Sequence, residues 1–518
     1  MRRVVDLVLV AAALGDLHGD VENHWCLRLL NVGGAGHEGR ATGFYSLAHV
    51  PSHGETRVSK PRGAIAIPTL VLALVVALGI VLWSRGDLNS LICDGDCGPA
   101  NVIPPRSLTS DTQPAEPGPR LPKPGDVDPA KLKAAVTPML DAGVLGPHVG
   151  FSAVTPSNGT ELASSGSGAY VPASTTKVLT SFAALSLIDS QRRFTTRVVG
   201  SGDRIVLVGG GDPYLAVKRT KTSDPVIRAD LTTLAKRTAA ALDRTGTTSV
   251  RVGFDASLFS GPDASPAWES SYVSQNIVTP VSALWADQGE ANGIRAKDPA
   301  ASAARTFAGL LEDRGITVTG EPSATTAADD ATTLAAVRSA TVARIVATLI
   351  RVSDNQAAEV MLRQLAIAAG KPATFDGGTE AVTDVLEQAD IDTQGLVLHD
   401  GSGLSRRNRI APLTLAQTVN VAASTPRTAQ LVADLPVSGF TGTLVDRFAK
   451  LKTSLGTVRA KTGTLTGVHS LAGYALDAEG RPVVFAVMAD RTSKVAPLEA
   501  QAALDKVAAA IAACRCGQ

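Results

Sequence analysis

A run of twenty residues without a charge, Ala64 to Trp83, constrains this chain more than any other feature of its sequence. The run is long enough to cross the hydrocarbon core of a bilayer, which is about 30 Å thick. Arg57, Lys60 and Arg62 precede the run, and Arg85 follows it. This charge bias predicts a cytoplasmic N-terminus and an extracytoplasmic location for everything after the run. Because no small-residue cleavage site follows, the run is predicted to be a retained, single-pass signal anchor in the cell membrane.

The two flanks of the apolar run have the composition of unfolded segments. Residues 1–63 are predicted to be a cytosolic extension, with five of the eight histidines and no sustained periodicity. Either this extension is disordered or translation begins near Val58. Residues 84–127 are predicted to be a linker, because eight prolines lie between Pro99 and Pro124 and favour an extended spacer. These flanks argue against the alternative that the apolar run is a buried core helix. The folded region is expected over residues 128–518.

Charge and cysteine content exclude several classes of function. The formal net charge is +1 over 518 residues, which does not indicate a nucleic-acid-binding surface. No cysteine lies between Cys97 and Cys514, so the folded region has no thiol nucleophile there, and a CxxC metal or redox spacing is absent from the sequence. Cys93, Cys97, Cys514 and Cys516 are predicted to form disulfides in an oxidising compartment, either within each pair or between the pairs.

Helical and strand patterns alternate within the folded region. Val178, Phe182 and Leu185 share one face of a predicted helix over residues 174–188. The other predicted helices cover residues 341–352, 357–369 and 497–513, and the predicted strands cover residues 458–460, 470–476 and 483–489. Helices followed by an antiparallel sheet and a closing helix predict an α/β sandwich.

The first of three short motifs is Ser174-Thr175-Thr176-Lys177, the one S-x-x-K in the sequence. A serine hydroxyl is a weak nucleophile unless a base removes its proton during attack. At helical spacing Lys177 lies on the same face as Ser174, and a lysine can act as that base when burial lowers its pKa. The alternative, which is common for this pattern in isolation, is a helix-capping serine followed by an exposed lysine.

The second motif, Ser353-Asp354-Asn355, falls at the break between two predicted helices. Ser353 can relay a proton towards a leaving amine, and Asn355 can bind a substrate amide. An ordinary turn between helices explains the same three residues equally well when they are taken alone. The long separation from the first motif leaves room for an inserted domain.

The third motif, Lys461-Thr462-Gly463-Thr464, closes a short predicted strand. A strand edge with one cation and two hydroxyls can bind a carboxylate, and Gly463 allows a ligand to approach the backbone. The alternative for the motif in isolation is a strand that enters a turn.

In this order, S-x-x-K, S-D-N and K-T-G are the active-site set of penicillin-binding proteins and serine β-lactamases. The chain resembles the class C low-molecular-mass penicillin-binding proteins, which are D-Ala-D-Ala carboxypeptidases and endopeptidases. The likeness covers about residues 128–512. It includes further segments in the same order: VLVGGGDP at 206–213, DASLF at 255–259 with Trp268 downstream, DGSGLSR at 400–406, LPVSG at 435–439, and 460–474.

The resemblance implies a sandwich of the penicillin-binding-protein and β-lactamase type, in which helices flank an antiparallel sheet. It also implies a large insert at about residues 190–335, folded as one or two satellite domains. In relatives an aspartate of the insert contacts the free amine of the diamino acid in the stem peptide. Asp263 is the matching residue here, with a loop-tip turn aspartate after Pro262 as the alternative.

Residue roles follow from the resemblance. It implies that Ser174 is the acylated nucleophile and Lys177 its general base, while Ser353 and Asn355 move protons and hold substrate and Lys461 stabilises charge. The implied substrate-binding residues are Thr462, Gly463, Thr464 and Asp263, and backbone N–H groups of Ser174 and Thr464 are implied to form the oxyanion hole. The resemblance implies no metal and no organic cofactor.

The expected activity is a serine-type D-Ala-D-Ala carboxypeptidase that trims peptidoglycan stems through an acyl-enzyme, with β-lactams as covalent inhibitors. Cleavage of cross-links as a D,D-endopeptidase stays open, because it differs in the accepted leaving group. A serine β-lactamase and a non-catalytic scaffold are the alternatives. His399, Asp400 and Ser402 are too close in sequence to form a relay easily, and this segment is expected to shape the wall of the site.

Overall fold

The structure is a computed structural model that describes residues 126–156, 158–219 and 226–517. The N-terminal extension, the apolar run and nearly all of the linker lie outside these residues, so their predicted roles stay predictions. Within the part of the chain that is described, no helix has the length and apolar character needed to cross a membrane.

The helices of the described residues, in chain order, are α1 Pro129–Leu140, α2 Thr176–Leu187, α3 Leu231–Asp243, α4 Ser271–Ser274, α5 Pro299–Glu312, α6 Val342–Val352, α7 Asn355–Ala368, α8 Phe375–Gln388, α9 Pro412–Ser424, α10 Ala429–Ala433 and α11 Pro497–Ala513. The strands are β1 Val149–Val154, β2 Glu161–Ser165, β3 Arg193–Ser201, β4 Arg204–Val208, β5 Ser249–Asp255, β6 Glu290–Ala291, β7 Ile294–Arg295, β8 Thr317–Val318, β9 Ser323–Ala324, β10 Thr333–Thr341, β11 Val458–Leu465, β12 Val468–Leu476 and β13 Pro482–Ala489.

A five-stranded antiparallel sheet in the order β11-β12-β13-β1-β2 forms the centre of the catalytic body. Strand β13 is apolar on both sides: Phe485 and Val487 join one core with α1 and α11, whereas Ala486 and Met488 join another with α2 and α6 to α9. Successive side chains of a strand point to opposite faces, so a continuous apolar strand requires helices on both faces. The predicted α/β sandwich is confirmed.

The two ends of the described body are joined. Val127 forms a bridge with Gly517, and the Asp128 carboxylate caps α1 by accepting from the backbone N–H groups of its first turn. Cys514 and Cys516 form a disulfide, so the C-terminal pair bonds within itself. Cys93 and Cys97 lie outside the described residues.

A second, mixed sheet in the order β10-β3-β4-β5-β8 forms the insert, with β9 also paired to β5. Helices α3 and α5 cover it through an apolar core of alanine, leucine and valine with Phe307 at its centre. Because β10 pairs with β3, the chain leaves the insert beside the point where it enters. The insert therefore returns the chain directly to α6, which leads to the S-D-N motif.

Three of the predicted element boundaries that differ from the structure fall at the motifs. Ser174 lies in a 3-10 turn, Ala173–Thr175, and the helix begins only at Thr176. Helix α7 begins at Asn355 rather than two residues later, because Asp354 caps it. Strand β11 runs through the whole K-T-G motif, since a two-residue turn after Leu465 lets β12 pair with it along its full length.

Candidate active site

Ser174 is held at a strained turn. The preceding residue, Ala173, has a φ of 49°, a left-handed conformation that an L-residue adopts at a cost of order 1–3 kcal/mol. Gly403 packs so closely on the Ala173 carbonyl that a side chain at 403 would overlap it. The hydroxyls of Thr175 and Thr176 donate to the carbonyls of Pro172 and Ala173 at 2.7 and 2.9 Å. These contacts fix a half-buried Ser174 at the entrance to α2.

The Lys177 amine is the central polar atom of the site. Its Nζ lies 2.9 Å from Ser174 Oγ and 2.7 Å from both Asn355 Oδ1 and the Ser402 carbonyl oxygen. Burial lowers the pKa of Lys177 to about 8, against the opposing effect of the Glu359, Asp400 and Asp354 carboxylates. A lysine with this pKa is partly neutral near physiological pH, so it can accept a proton from the serine hydroxyl.

Glu359 supports Lys177 and was not predicted from the sequence. Its carboxylate accepts from the backbone N–H groups of Gly401 and Ser402 at 3.0 and 2.8 Å, which directs the Ser402 carbonyl towards Lys177. Burial, and then the Asp400 carboxylate, raise the pKa of Glu359 to about 8. The sequence contains one weak indication of this role, because Glu359 follows Asn355 by four residues and so lies on the same helix face.

The S-D-N motif forms the junction between α6 and α7. Ser353 ends α6 in a left-handed conformation with a φ of 62°, and the Asp354 carboxylate caps α7 by accepting from the Ala357 N–H at 2.9 Å. The first residue of α7 is then Asn355, whose side-chain oxygen meets Lys177. The motif is therefore a turn, as its alternative reading requires, and it also brings two side chains to the candidate site.

Lys461 approaches the site from the sheet. Its Nζ lies 2.9 Å from Ser353 Oγ and donates to the Thr462 carbonyl at 2.7 Å. Burial, followed by the charges of Lys177 and Arg447, lowers the pKa of Lys461 well below its ordinary value. Ser353 Oγ thus lies beside one lysine of the site, while Asn355 contacts the other.

Gly463 is closely packed by the protein itself. A Cβ at this position would overlap Ser470 Oγ and the Pro172 carbonyl. The approach of a ligand to its backbone stays a prediction. The glycine is required because the chain that carries Ser174 lies against β11. The two flanking threonines differ in exposure: Thr462 is buried and its hydroxyl donates to Thr443 Oγ1 at 2.9 Å, whereas Thr464 is exposed.

An open cleft of about 430 Å³ joins the three motifs. Its lining residues come from the nucleophile turn, the S-D-N junction, β11, the segment after α10, and α11; they are Ser174, Ser353, Gly442, Thr443, Val445, Asp446, Arg447, Thr462, Thr464 and Gln501. Arg447 is buried and paired with Asp505 of α11. Arg447 was not predicted from the sequence, because its pairing depends on a helix far along the chain.

Asp263 does not line this cleft. It is exposed and lines a separate pocket with Lys297 and Arg363, at the boundary between the insert and α7. Five residues on, Trp268 lies closer to the motifs, since its indole N–H donates to Asp400 Oδ2 at 2.8 Å. The predicted role of Asp263 in substrate recognition stays a prediction.

The segment around Asp400 is structural. The Asp400 carboxylate accepts from the N–H groups of Gly403 and Ser405 and from the side chains of Asn408 and Trp268. Among the described residues, no hydrogen bond joins its carboxylate to the ring of the neighbouring histidine. This arrangement fits the expected wall of the site and not a relay.

Comparisons with known proteins agree with this geometry. The sequence profile of the D-Ala-D-Ala carboxypeptidase 3 (S13) family matches residues 132–292 and 290–511. Carboxypeptidase DacB of Mycolicibacterium smegmatis is 32% identical over 477 residues, which is 88% of this chain and 96% of the relative. A carboxypeptidase of Mycobacterium tuberculosis is 35% identical over 366 residues, or 67% of this chain and 76% of the relative.

The fold has a counterpart among solved structures. Penicillin-binding protein 4 from Haemophilus influenzae superposes with a TM-score of 0.60 at 22% identity, covering 73% of this chain and 98% of that protein. At this identity the likeness concerns the fold. The family profile and the mycobacterial relatives go further, and they show that this chain belongs to the S13 family of serine-type D-Ala-D-Ala carboxypeptidases.

Proposed function

We propose that Ser174 is the nucleophile of this carboxypeptidase and that Lys177 is its general base. The observation that carries the proposal is the 2.9 Å separation of Lys177 Nζ from Ser174 Oγ, together with the pKa of Lys177 near 8. Lys177 takes the hydroxyl proton as Ser174 attacks the carbonyl between the two D-Ala residues. The D-Ala leaving group departs, and water then hydrolyses the acyl-enzyme.

Ser353 and Lys461 serve the leaving group. The leaving amine needs a proton, and Ser353 Oγ lies within hydrogen-bond distance of Lys461 Nζ, which can resupply it. Asn355 orients Lys177 and binds the substrate amide. Thr462 and Thr464 receive the terminal carboxylate at the cleft wall, close to the amine of Lys461.

The backbone N–H groups of Ser174 and Thr464 form the oxyanion hole in this proposal. The close packing of the nucleophile turn on β11 at Gly463 supports it, because that contact holds the two segments at a fixed separation. Each donor of such a hole is worth about 3 kcal/mol of transition-state stabilisation in other enzymes.

The substrates are peptidoglycan stem peptides that end in D-Ala-D-Ala, and β-lactams acylate Ser174 as substrate mimics. The Haemophilus influenzae protein has been crystallised with a β-lactam. Asp446 and Gln501 line the same cleft as Ser174 and Thr464, and its volume of about 430 Å³ leaves room for a leaving group longer than D-Ala. We therefore include D,D-endopeptidase cleavage of cross-linked stems by the same residues.

The location that fits this substrate is the extracytoplasmic face of the cell membrane, with Ala64 to Trp83 as the anchor. The test is fractionation of cells that express the full-length chain, with alkaline extraction of the membranes and protease treatment of intact spheroplasts. The protein should stay in the extracted membranes and be cleaved from outside. Release by alkali would contradict anchoring.

The catalytic proposal is tested by incubating the purified full-length chain with a labelled penicillin and reading the adduct by intact mass. Wild type and a Ser274→Ala control should carry one long-lived adduct, and Ser174→Ala none. D-Ala release from a pentapeptide should follow the same pattern. Rapid antibiotic hydrolysis without an adduct would indicate a β-lactamase, and no reaction of wild type would favour a scaffold.

A further inference from the structure

The insert touches the S-D-N junction directly. Gln288 lies in a 3-10 turn of the insert, Asp287–Gly289. Its side-chain Nε2 donates to Asp354 Oδ2 at 2.8 Å. The other carboxylate oxygen of Asp354 caps α7. Because Asp354 stands between Ser353 and Asn355, its orientation sets the positions of both flanking residues. The insert thus contacts the residue that organises the junction, and it does so outside the cleft.

The turn that carries Gln288 is strained. Asp287 and Gln288 have φ values of 48° and 54°, and Gly289 continues the left-handed run with a φ of 69°. Two consecutive non-glycine residues in this region are costly, and such strain persists only where surrounding contacts enforce it. Here the Thr279 hydroxyl donates to the Gln288 carbonyl at 2.7 Å. The protein therefore holds this turn against its backbone preference, with the Gln288 amide on Asp354.

A second contact from the same part of the insert is made to Gln356, the second residue of α7. With the Gln356 amide oriented so that its oxygen faces Arg295, that oxygen accepts from Nη1 and Nη2 of Arg295 at 2.9 and 3.2 Å. Arg295 is itself fixed by an ion pair with Glu290 at 2.9 Å. Further along α7, Gln364 donates to the carbonyls of the insert's glycine-rich segment. The insert thus holds α7 by several polar contacts, of which the Gln288 bond is closest to the site.

A buried side chain of the insert lies beside the Asp354 contact. Tyr214 of the insert is buried next to Asp354, and burial followed by this carboxylate raises the pKa of the Tyr214 hydroxyl well above its ordinary value. Asp354 is itself half-buried, and loss of the Gln288 amide would remove one of the donors to its carboxylate. Removal of the Gln288 amide should therefore cause the Asp354 side chain to reorient rather than leave it in place.

We infer that Gln288 is a positioning residue for the reaction: through Asp354 it sets the geometry of Ser353 and Asn355, so that the insert controls the acylation step. This inference rests on the proposed function, since it presumes that Ser353 and Asn355 serve acylation at Ser174. Gln288 touches neither substrate nor Ser174. A displacement of about 1 Å in a supporting contact can lower a catalytic rate by about 100-fold.

The test compares acylation by labelled penicillin in the full-length wild type, Gln288→Ala and Gln275→Ala. Gln275 is an exposed glutamine of the same insert and serves as the matched control. We expect the acylation rate per active site to fall about 10- to 100-fold in Gln288→Ala, with KM for pentapeptide unchanged within about twofold. Gln275→Ala should match wild type. Titration of acylable sites separates this result from misfolding, which would lower the number of sites and not the rate at each.

A Gln288→Glu variant gives a second readout that keeps the shape of the side chain. The charged and titratable groups around this position are Asp354, Tyr214, Asp287, Arg228 and Arg295. At pH 8 the introduced carboxylate repels Asp354, so acylation should be as slow as in the alanine variant. At pH 5 the protonated form donates again, and the rate relative to wild type at the same pH should recover at least several-fold.

Two results would overturn the inference while leaving the proposed function intact. One is acylation of Gln288→Ala at the wild-type rate, and the other is a pH-independent ratio of Gln288→Glu to wild type. If wild type itself shows no adduct at Ser174, the proposed function fails and the inference falls with it.

Discussion

The catalytic body and the insert bury different kinds of side chain. The body encloses two lysines, Lys177 and Lys461, together with Glu359, Arg363 and the Arg447–Asp505 pair. In the described part of the insert, no lysine, arginine or glutamate is buried, and its core is apolar. The buried aspartates of the insert include Asp230, which caps a helix and so has backbone partners.

This contrast shows where the protein accepts a cost in stability. The desolvation of an ion costs several kcal/mol, and that cost is offset only by good partners. Among its described residues the insert buries only aspartates as ionisable carboxyl groups, namely Asp212, Asp230 and Asp255, and their carboxylates accept from backbone N–H groups. The rest of its core is apolar. The body accepts the desolvation cost at the three motifs, because a lysine must be desolvated to have a pKa near 8.

Replacement of the buried base should have the largest effect. Lys177→Met removes the amine while keeping an unbranched side chain, and we expect acylation by penicillin to slow by about 10⁴-fold. The measurement is the rate of adduct formation by intact mass. The exposed Lys450→Met is the control and should react like wild type. A loss below about tenfold would show that another group accepts the serine proton.

One phenylalanine in each region is fully buried, and its replacement by alanine compares the cores of the body and the insert. Phe485→Ala in the body and Phe307→Ala in the insert should each lower the free energy of unfolding by about 3–5 kcal/mol in denaturant titrations. Among molecules that remain folded, only Phe485→Ala should also slow acylation, because β13 pairs with β12, and β12 pairs with β11, the strand that carries the K-T-G motif. Equal loss of acylation in both variants would argue against separate roles.

Substitution of Gly463 should have the next largest effect on the acylation rate. A Cβ there overlaps the chain before Ser174, so Gly463→Ala should separate β11 from the nucleophile turn and slow acylation by about 100-fold. Stopped-flow measurement of acylation checks this expectation. Gly143→Ala is the matched control, since a Cβ at Gly143 meets no atom within 4 Å. Wild-type acylation rates for Gly463→Ala would show that the close packing at this position does not set the position of Ser174.

The pH dependence of acylation reports the desolvation of Lys177. Its pKa in the folded protein is lowered to about 8, and the neutral amine is the active form. The rate should therefore rise about tenfold per pH unit below pH 8 and level off above it. A midpoint near the ordinary lysine pKa would mean that the amine is solvated and that the body does not pre-organise its base.

Two helical glycines give the smallest effects. A Cβ on Gly309 of the insert meets no atom within 4 Å, so Gly309→Ala should raise the free energy of unfolding by about 0.5–1 kcal/mol through helix propensity. In the body, a Cβ on Gly378 would press on the backbone and side chain of Leu362, so Gly378→Ala should be destabilising. Thermal unfolding of the two variants checks the opposite signs, and equal signs would weaken the contrast between the regions.

Local sequence determined the elements that surround the site. The junction between α6 and α7, the β12–β13 hairpin and the closing helix follow from hydrophobic period and turn chemistry, which act over a few residues. The order of the three motifs predicted the fold, which the structure and the comparisons confirm. The disulfide pairing could not be predicted, because spacing allowed several connections and the structure selects Cys514 with Cys516.

Tertiary structure alone decided how the motifs work together. Lys177 meets Asn355 and the Ser402 carbonyl across 178 and 225 residues of sequence. Gly463 meets the nucleophile turn, and Gln288 meets Asp354 across 66 residues. Such contacts leave no periodic trace in the sequence, because each depends on where whole elements pack. The sequence determined which groups the site would contain, whereas packing determined their distances and burial, and with them the pKa of Lys177.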